Sequence, residues 1–321
     1  MKRILPLLLL PACLWSPSSH AGGYPDRYIK ILIPFTAGGA VDNIVRAMSP
    51  ELSADLGQPI VVENKPGGGA QVAATALLQA PADGYTLLAA PGGVFALNPH
   101  LYKQLAYDPR ADFEGIATLT TAPMVMFSNP KGRIPHISAF RTALANGDFI
   151  KYASPGQGTA PHLFGHMIGA AFPKANLLHV PYRGAPQAIQ AVLSQEVDLM
   201  FDAVPTVVGL VRNGQVRPLA IAAEHRHPLF PQTPTLRELG MPQISMDFWV
   251  GVVARKGTPA AVVDRLHAAF QKALDTPAIA RMLQDRGYTR LTMSPREFDG
   301  LIRSELEKYG PIVKATGATI D

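Results

Sequence analysis

Short apolar runs and helically spaced apolar stripes alternate along most of the chain. Ile29, Ile31 and Ile33 with Leu32 form a β-branched run that predicts a buried strand, ended by Pro34. Residues 35–41 make a small-residue loop. Asp42 then occupies a helix N-cap position ahead of Ile44, Val45, Met48, Leu52 and Leu56 at helical spacing. The unit repeats as strand 60–63, glycine loop 64–69 and helix 70–80, followed by strand 86–90, which ends in Pro91, Gly92 and Gly93. Such βαβαβ order predicts an α/β protein with a parallel, doubly wound sheet.

Two strand-like runs, 116–120 and 124–128, flank Thr121, Ala122 and Pro123. After a helix at 138–145, strand 150–153 enters a fourth glycine loop, 154–159, and helix 160–171 follows. Strand 177–180, a turn at 182–184, helix 186–194, strand 197–201, a loop at 202–205, helix 207–212 and strand 216–222 continue the alternation. Residues 224–235 are polar and proline-broken, a surface connection. A strand at 245–254 precedes a helical tail. The stripes Val262, Leu266, Phe270, Leu274 and Phe298, Leu301, Ile302, Tyr309, Ile312 predict packing faces.

The recurrence of strand, glycine loop and helix carries the chemistry. A helix start offers unpaired N–H groups and the positive end of the helix dipole, and glycines let a ligand approach the backbone. For one such loop, a tight turn without ligand is an equal reading. Ligands of open α/β sheets sit beyond the carboxyl ends of strands, so two facing halves would bring loops 35–41 and 154–159 to one cleft. Backbone amides with Thr36, Ser154, Thr159 and Tyr182 suit a carboxylate. Two helix termini, each worth about 0.3–2 kcal/mol to an anion, plus several amide bonds would reach micromolar affinity, about −8 kcal/mol.

Composition narrows the field. Residues 1–21 carry a basic start (Lys2, Arg3), an apolar run at 4–15 and a small-x-small site at Ser19-His20-Ala21, the pattern of a cleaved export signal. Leu10-Pro11-Ala12-Cys13 loosely resembles a lipoprotein box with an awkward proline. With ordinary cleavage the only cysteine leaves, and no disulfide or thiolate chemistry remains. The remaining stretch of about 300 residues is long enough for two domains. Losing Lys2 and Arg3 takes 29 basic residues to 27 against 24 acids, a formal charge of +3, with no dense basic run, so nucleic acid is a poor partner.

Enzymatic motifs fail in turn. Neither glycine loop completes a dinucleotide fingerprint: Val72 and Pro161 stand where the last glycine belongs. No G-x-S-x-G elbow and no positioned acid-base pair is evident. His162 and His166 have the spacing of zinc ligands, but Leu163 replaces the glutamate such sites need. A hydrogen bond from His162 into the cleft is the simpler use. Asp42 and Asp202 read as a cap and a strand-end turn ahead of catalytic carboxylates. No cofactor or metal is expected.

The ordered motifs Pro34-Phe35-x-x-Gly38-Gly39-x-x-Asp42, Val61-Val62-Glu63-Asn64-Lys65-Pro66-Gly67, Asp83-Gly84-Tyr85, Asn98-Pro99-x-Leu101-Tyr102, Tyr152-Ala153-Ser154-x-Gly156-x-Gly158-Thr159, His179-Val180-Pro181-Tyr182-Arg183-Gly184 and Val197-Asp198-x-Met200-Phe201-Asp202 resemble the Bug family. These are solute-binding proteins of tripartite tricarboxylate transporters. The resemblance implies a two-lobed periplasmic binding protein of type II topology that closes by a hinge on an organic carboxylate. It supplies a membrane permease of that type or presents the ligand to a sensor kinase, as a monomer and not as an enzyme. The implied lobes are 22–122 with 250–321, and 123–249. The implied ligand residues are Phe35, Thr36, Ala37, Gly38, Gly39, Gly92, Ser154, Gly156, Gly158, Thr159, His162 and Asp202. Thr159, Pro155, Thr36-Ala37 and Ala203 depart from the usual residues. They tune the ligand and lean toward a less polar acid. The rivals are an exported carboxylate-processing enzyme and a partner-binding protein with a vestigial pocket.

Overall fold

The computed structural model describes residues 23–172 and 174–320, so the expected export signal and Cys13 lie outside it. β1 (Ile29–Ile33), α1 (Ala40–Leu56), β2 (Ile60–Asn64), α2 (Gln71–Gln79) and β3 (Thr86–Pro91) realise the βαβαβ order with all three strands parallel. Two helices that periodicity missed come next, α3 (Gly92–Ala96) and α4 (Asn98–Leu101). They are too short to show a stripe. β4 (Phe113–Ser128), α5 (Ile137–Asn146), β5 (Phe149–Ser154), α6 (Ala160–Ala170), β6 (Asn176–Pro181), α7 (Ala185–Leu193), β7 (Leu199–Ala203), α8 (Val204–Arg212) and β8 (Arg217–Ile221) form the second half. β9 (Asp247–Arg255) returns to the first, and α9 (Ala260–Leu274), α10 (Pro277–Asp285), the short β10 (Thr289–Arg290) and α11 (Pro295–Thr316) complete the chain.

β4 is one strand of 16 residues where two were predicted. Pro123 does not break it, because β4 changes partners there: residues up to Pro123 pair with β9, and from Met124 onward it pairs with β7 and, one residue later, with β8. A missing ladder N–H is cheapest at such a handover. The first sheet runs β2-β1-β3-β9-β4 and the second β6-β5-β7-β4-β8. In each, the fourth strand is antiparallel to both neighbours. The two halves share one topology and lend each other that antiparallel strand, which is the expected type II arrangement.

Apolar side chains fill both faces of both sheets. Ile31, Val45, Val250 and Phe270 pack on one face of the first and Leu32, Leu88, Trp249 and Phe298 on the other. Phe140, Phe164 and Phe201 lie on one face of the second, with Phe127, Met200 and Val207 opposite. α11 begins with a full capping box between Ser294 and Glu297. It belongs to both cores, Phe298 and Ile302 in one half and Tyr309 and Val313 in the other.

Asp55 ties α1 to α9, accepting from Arg265 Nη1 and Lys272 Nζ at 2.6 Å each. Those bonds, Lys272 first, hold its carboxyl below the usual range. Asp55→Asn is expected to lower stability by about 1–3 kcal/mol, measured as a urea midpoint, with a smaller loss at high salt because Lys272 is exposed.

Candidate functional site

The first glycine loop leads from β1 to α1, and Gly39, rather than Asp42, is the N-cap. Its backbone is extended, φ −72°, and no side chain caps the helix. Asp42 is the third residue of the first turn and only 2% exposed. Its carboxylate reaches back to accept from the Gly38 N–H at 2.9 Å, and Arg46 Nε and Asn64 Nδ2 donate to it, each at 2.9 Å. Desolvation would raise this carboxyl, but the three donors together hold it below the usual range. Gly38 allows the turn with φ +83°. Asn64 also donates to Phe35 O at 3.0 Å, so the Asn64 motif braces the loop.

The second loop has the same construction. Gly158, φ +77°, precedes Thr159, the extended and uncapped N-cap of α6, and donates its N–H at 3.1 Å to His162 Nδ1 in the third helical position. Gly38 to Asp42 and Gly158 to His162 are thus equivalent units, one per half: glycine, cap, alanine, any residue, acceptor. As an acceptor at Nδ1, His162 is neutral, and burial, then His166, keeps it from protonating at its ordinary pH. A hydrogen bond given by His162 into the cleft was expected; the bond seen is the one its Nδ1 receives from its own loop.

Behind this loop the His162 and His179 rings stack at 4.0 Å. His179 Nε2 lies 2.7 Å from Ser154 Oγ, which donates to Gly156 O at 2.9 Å. Burial, then His162, pushes His179 down to about 4. A histidine depressed in the fold stabilises it above the unfolded value, about 6.5, and that stability is lost as pH falls toward 4. His179→Gln is expected to make the acid-side fall in melting temperature shallower between pH 6.5 and 4 than in the parent, followed by thermal melts across that range.

A cavity of about 460 Å³ separates the two loops. Phe35, Thr36 and the first turn of α1 line it from one half, and Gln157, Gly158, Thr159 and the first turn of α6 from the other. Gly93 of α3, Ala185 of α7 and Thr206 of α8 add three more helix starts. Leu97, Leu101, Tyr102, Phe248 and Ile320 supply apolar surface. Asp202 reaches the cavity while accepting from the Ala203 N–H at 2.7 Å and from Thr206, and burial pushes its carboxyl up to about 6.

Phe35, Thr36, Gly39, Gly158, Thr159 and Asp202 therefore meet at this cavity. Ala37 and Gly38 sit on the exposed loop but outside the lining, and the Gly38 N–H is already given to Asp42. Ser154, Gly156 and His162 stand behind the second loop and hold it. Gly92 faces elsewhere, since a Cβ on it would lie 2.4 Å from Trp249. Tyr182 gives its hydroxyl to Glu196. Leu97, Phe248 and Ile320 were not foreseen. Asn98, also on the lining, was visible in its motif and donates to Gly69 O at 2.6 Å.

A larger cavity, about 650 Å³, lies between Thr121, Pro123 and the 222–245 connection. Its two arginines are already matched, Arg237 with Glu224 and Arg226 with Glu238, Asp247 adds a carboxylate, and no helix start of α1, α3, α6, α7 or α8 lines it. The smaller cavity is the better anion site. Among the described residues no group of three or more His, Cys, Asp or Glu is placed to hold a metal, and no helix is long and apolar enough to cross a membrane.

Two strand-exchanging lobes around a cleft of helix starts define a solute-binding receptor. The chain belongs to the tripartite tricarboxylate transporter receptor family, whose description, "Tripartite tricarboxylate transporter family receptor", matches residues 44–318. A UPF0065 protein of Bordetella pertussis is 32% identical over 319 residues, 99% of this chain and 97% of the relative. The periplasmic binding protein BugD matches with TM-score 0.79 and 32% identity over 92% of this chain and 99% of its own. MatC of Rhodopseudomonas palustris with bound malate matches with TM-score 0.78 and 31% identity over 90% and 100%. These relatives agree with the Bug resemblance of the sequence motifs, and the fold is the two-lobed one that resemblance implies.

Proposed function

We propose that the protein is a periplasmic receptor that closes on a small organic carboxylate and delivers it to a membrane permease of the tripartite tricarboxylate type. The observation that carries this reading is the pair of uncapped helix starts, at Gly39 and Thr159, of matching construction and facing one cleft. The N–H groups of the two first turns and the two dipoles would grip one carboxylate. A malate-bound relative of the same fold supports the ligand class. The lobes are 22–122 with 250–321, and 123–249, and closure bends the chain where β4 changes partners and where β9 begins. α11 lies across both lobes and follows the motion.

Asp42 is engaged by its three donors, and Asp202 has no basic partner among the described lining residues, which supports binding over turnover. A thermal-shift panel of mono-, di- and tricarboxylates, acidic amino acids and aromatic acids tests the reading. A ligand at a hundred times its Kd is expected to add about 2.7 kcal/mol, a shift of several degrees. A flat panel on cooperatively folded protein contradicts the reading.

A further inference from the structure

Resting on the receptor reading, we infer that residues 318–320, beyond α11, form a length gauge for the ligand: the Ile320 side chain closes one wall of the cleft and sets how long a body fits behind the gripped carboxylate. The path of this segment is fixed step by step. Gly317 ends α11 in the left-handed region, φ +64°, and gives its N–H to Lys314 O at 3.2 Å. Ala318 is 3% exposed and gives its N–H to Thr316 Oγ1 at 3.0 Å. Ile320 then bridges to Tyr102 at the end of α4. Its N–H goes to Leu101 O at 2.8 Å, and its carbonyl accepts from the Lys103 N–H at 3.3 Å. Chain past a last helix frays unless it is tied down, and these ties carry a branched apolar side chain to the cleft.

Ile320 shares its wall with Leu101 and Tyr102, and it is the member whose size is free to vary. Leu101 rests on the second carboxylate loop, since a Cβ on Gly158 would lie 2.9 Å from both of its methyl carbons. Tyr102 is seated on Gly69, where an added Cβ would overlap its hydroxyl. A change at either would move a glycine loop. Ile320 is held through its backbone and only half-buried against the second core, so its side chain can shrink or grow with both hydrogen bonds kept.

A ligand anchored at the helix starts of α1 and α6 must lay the rest of its length in the same cavity, about 460 Å³ in all. There its apolar part meets Ile320 together with Leu97 and Phe248. Each methylene taken out of water is worth about fourfold in affinity, and that gain stops where the chain reaches the wall.

Calorimetric titration tests this, with the parent, Ile320→Ala and Ile320→Phe, each first shown by melting to be folded. The probes are the straight-chain diacids from malonate to suberate and the phenyl-capped acids from benzoate to phenylbutyrate. Ile320→Ala is expected to move the tightest-binding member at least one methylene longer and Ile320→Phe at least one shorter. The Kd ratio of neighbouring members then changes at least about fourfold. A length profile unchanged in both variants, or a loss uniform along the series, would overturn the inference and leave the receptor reading standing. Failure of the parent to bind any member of either series would remove both.

Discussion

Gly39→Val is expected to weaken carboxylate binding at least about a hundredfold, roughly 2.7 kcal/mol, while the protein melts within about 2 °C of the parent. The backbone at Gly39 is extended at φ −72°, which valine adopts freely, and a Cβ there would meet only Thr36 O, at 3.5 Å. Folding tolerates the side chain. In the proposed binding mode the ligand does not, because a branched group at the N-cap would stand where its carboxylate approaches the N–H groups of Ala40 and Val41. Gly38→Val cannot separate the two effects: φ of +83° opposes valine, and the shift would break the Gly38 to Asp42 bond. Binding of Gly39→Val within threefold of the parent, by titration, would take this loop out of the site.

Asp42→Ala is expected to cost about 2–4 kcal/mol of stability and to weaken binding as well. The carboxylate is buried and satisfies the Gly38 N–H, Arg46 and Asn64 together, so its loss leaves three donors without their acceptor. Asp42→Asn keeps one acceptor for Gly38 and is expected to recover part of the loss. The carboxyl is depressed in the fold, so its stabilisation is present above the unfolded value, about 3.9, and disappears as pH falls through the folded one. Parent and Asp42→Ala are accordingly expected to converge in stability below about pH 4, in urea unfolding across a pH series. Parent-like melting of Asp42→Ala at pH 7 would contradict the bracing role.

Local pattern made the alternation and the two halves legible, because each strand, loop and helix in them is specified by neighbours in sequence. Pro123 misled for the opposite reason: a proline looks like a break until one knows that β4 leaves one sheet and enters another at that residue. The glycine loops at 35–41 and 154–159 were visible as candidate anion seats. Their internal wiring was hidden, since Asp42 was legible only as a cap and His162 only as a donor, although the echo Gly-Gly-Ala-Val-Asp and Gly-Thr-Ala-Pro-His was there to be found. Phe248 and Ile320 reach the cleft only through the return of β9 and the chain beyond α11. No local signal marks them.

The most direct test of the cleft is an amide NMR titration of nitrogen-15 alanine-labelled protein with benzoate. The first-turn alanines of the two opposed helices, Ala40 and Ala160, are expected to shift together and saturate with one Kd, because in the proposed binding mode both N–H groups face the same carboxylate. Shifts confined to Ala222 and Ala223, at the larger cavity, with Ala40 and Ala160 unmoved, would contradict the account.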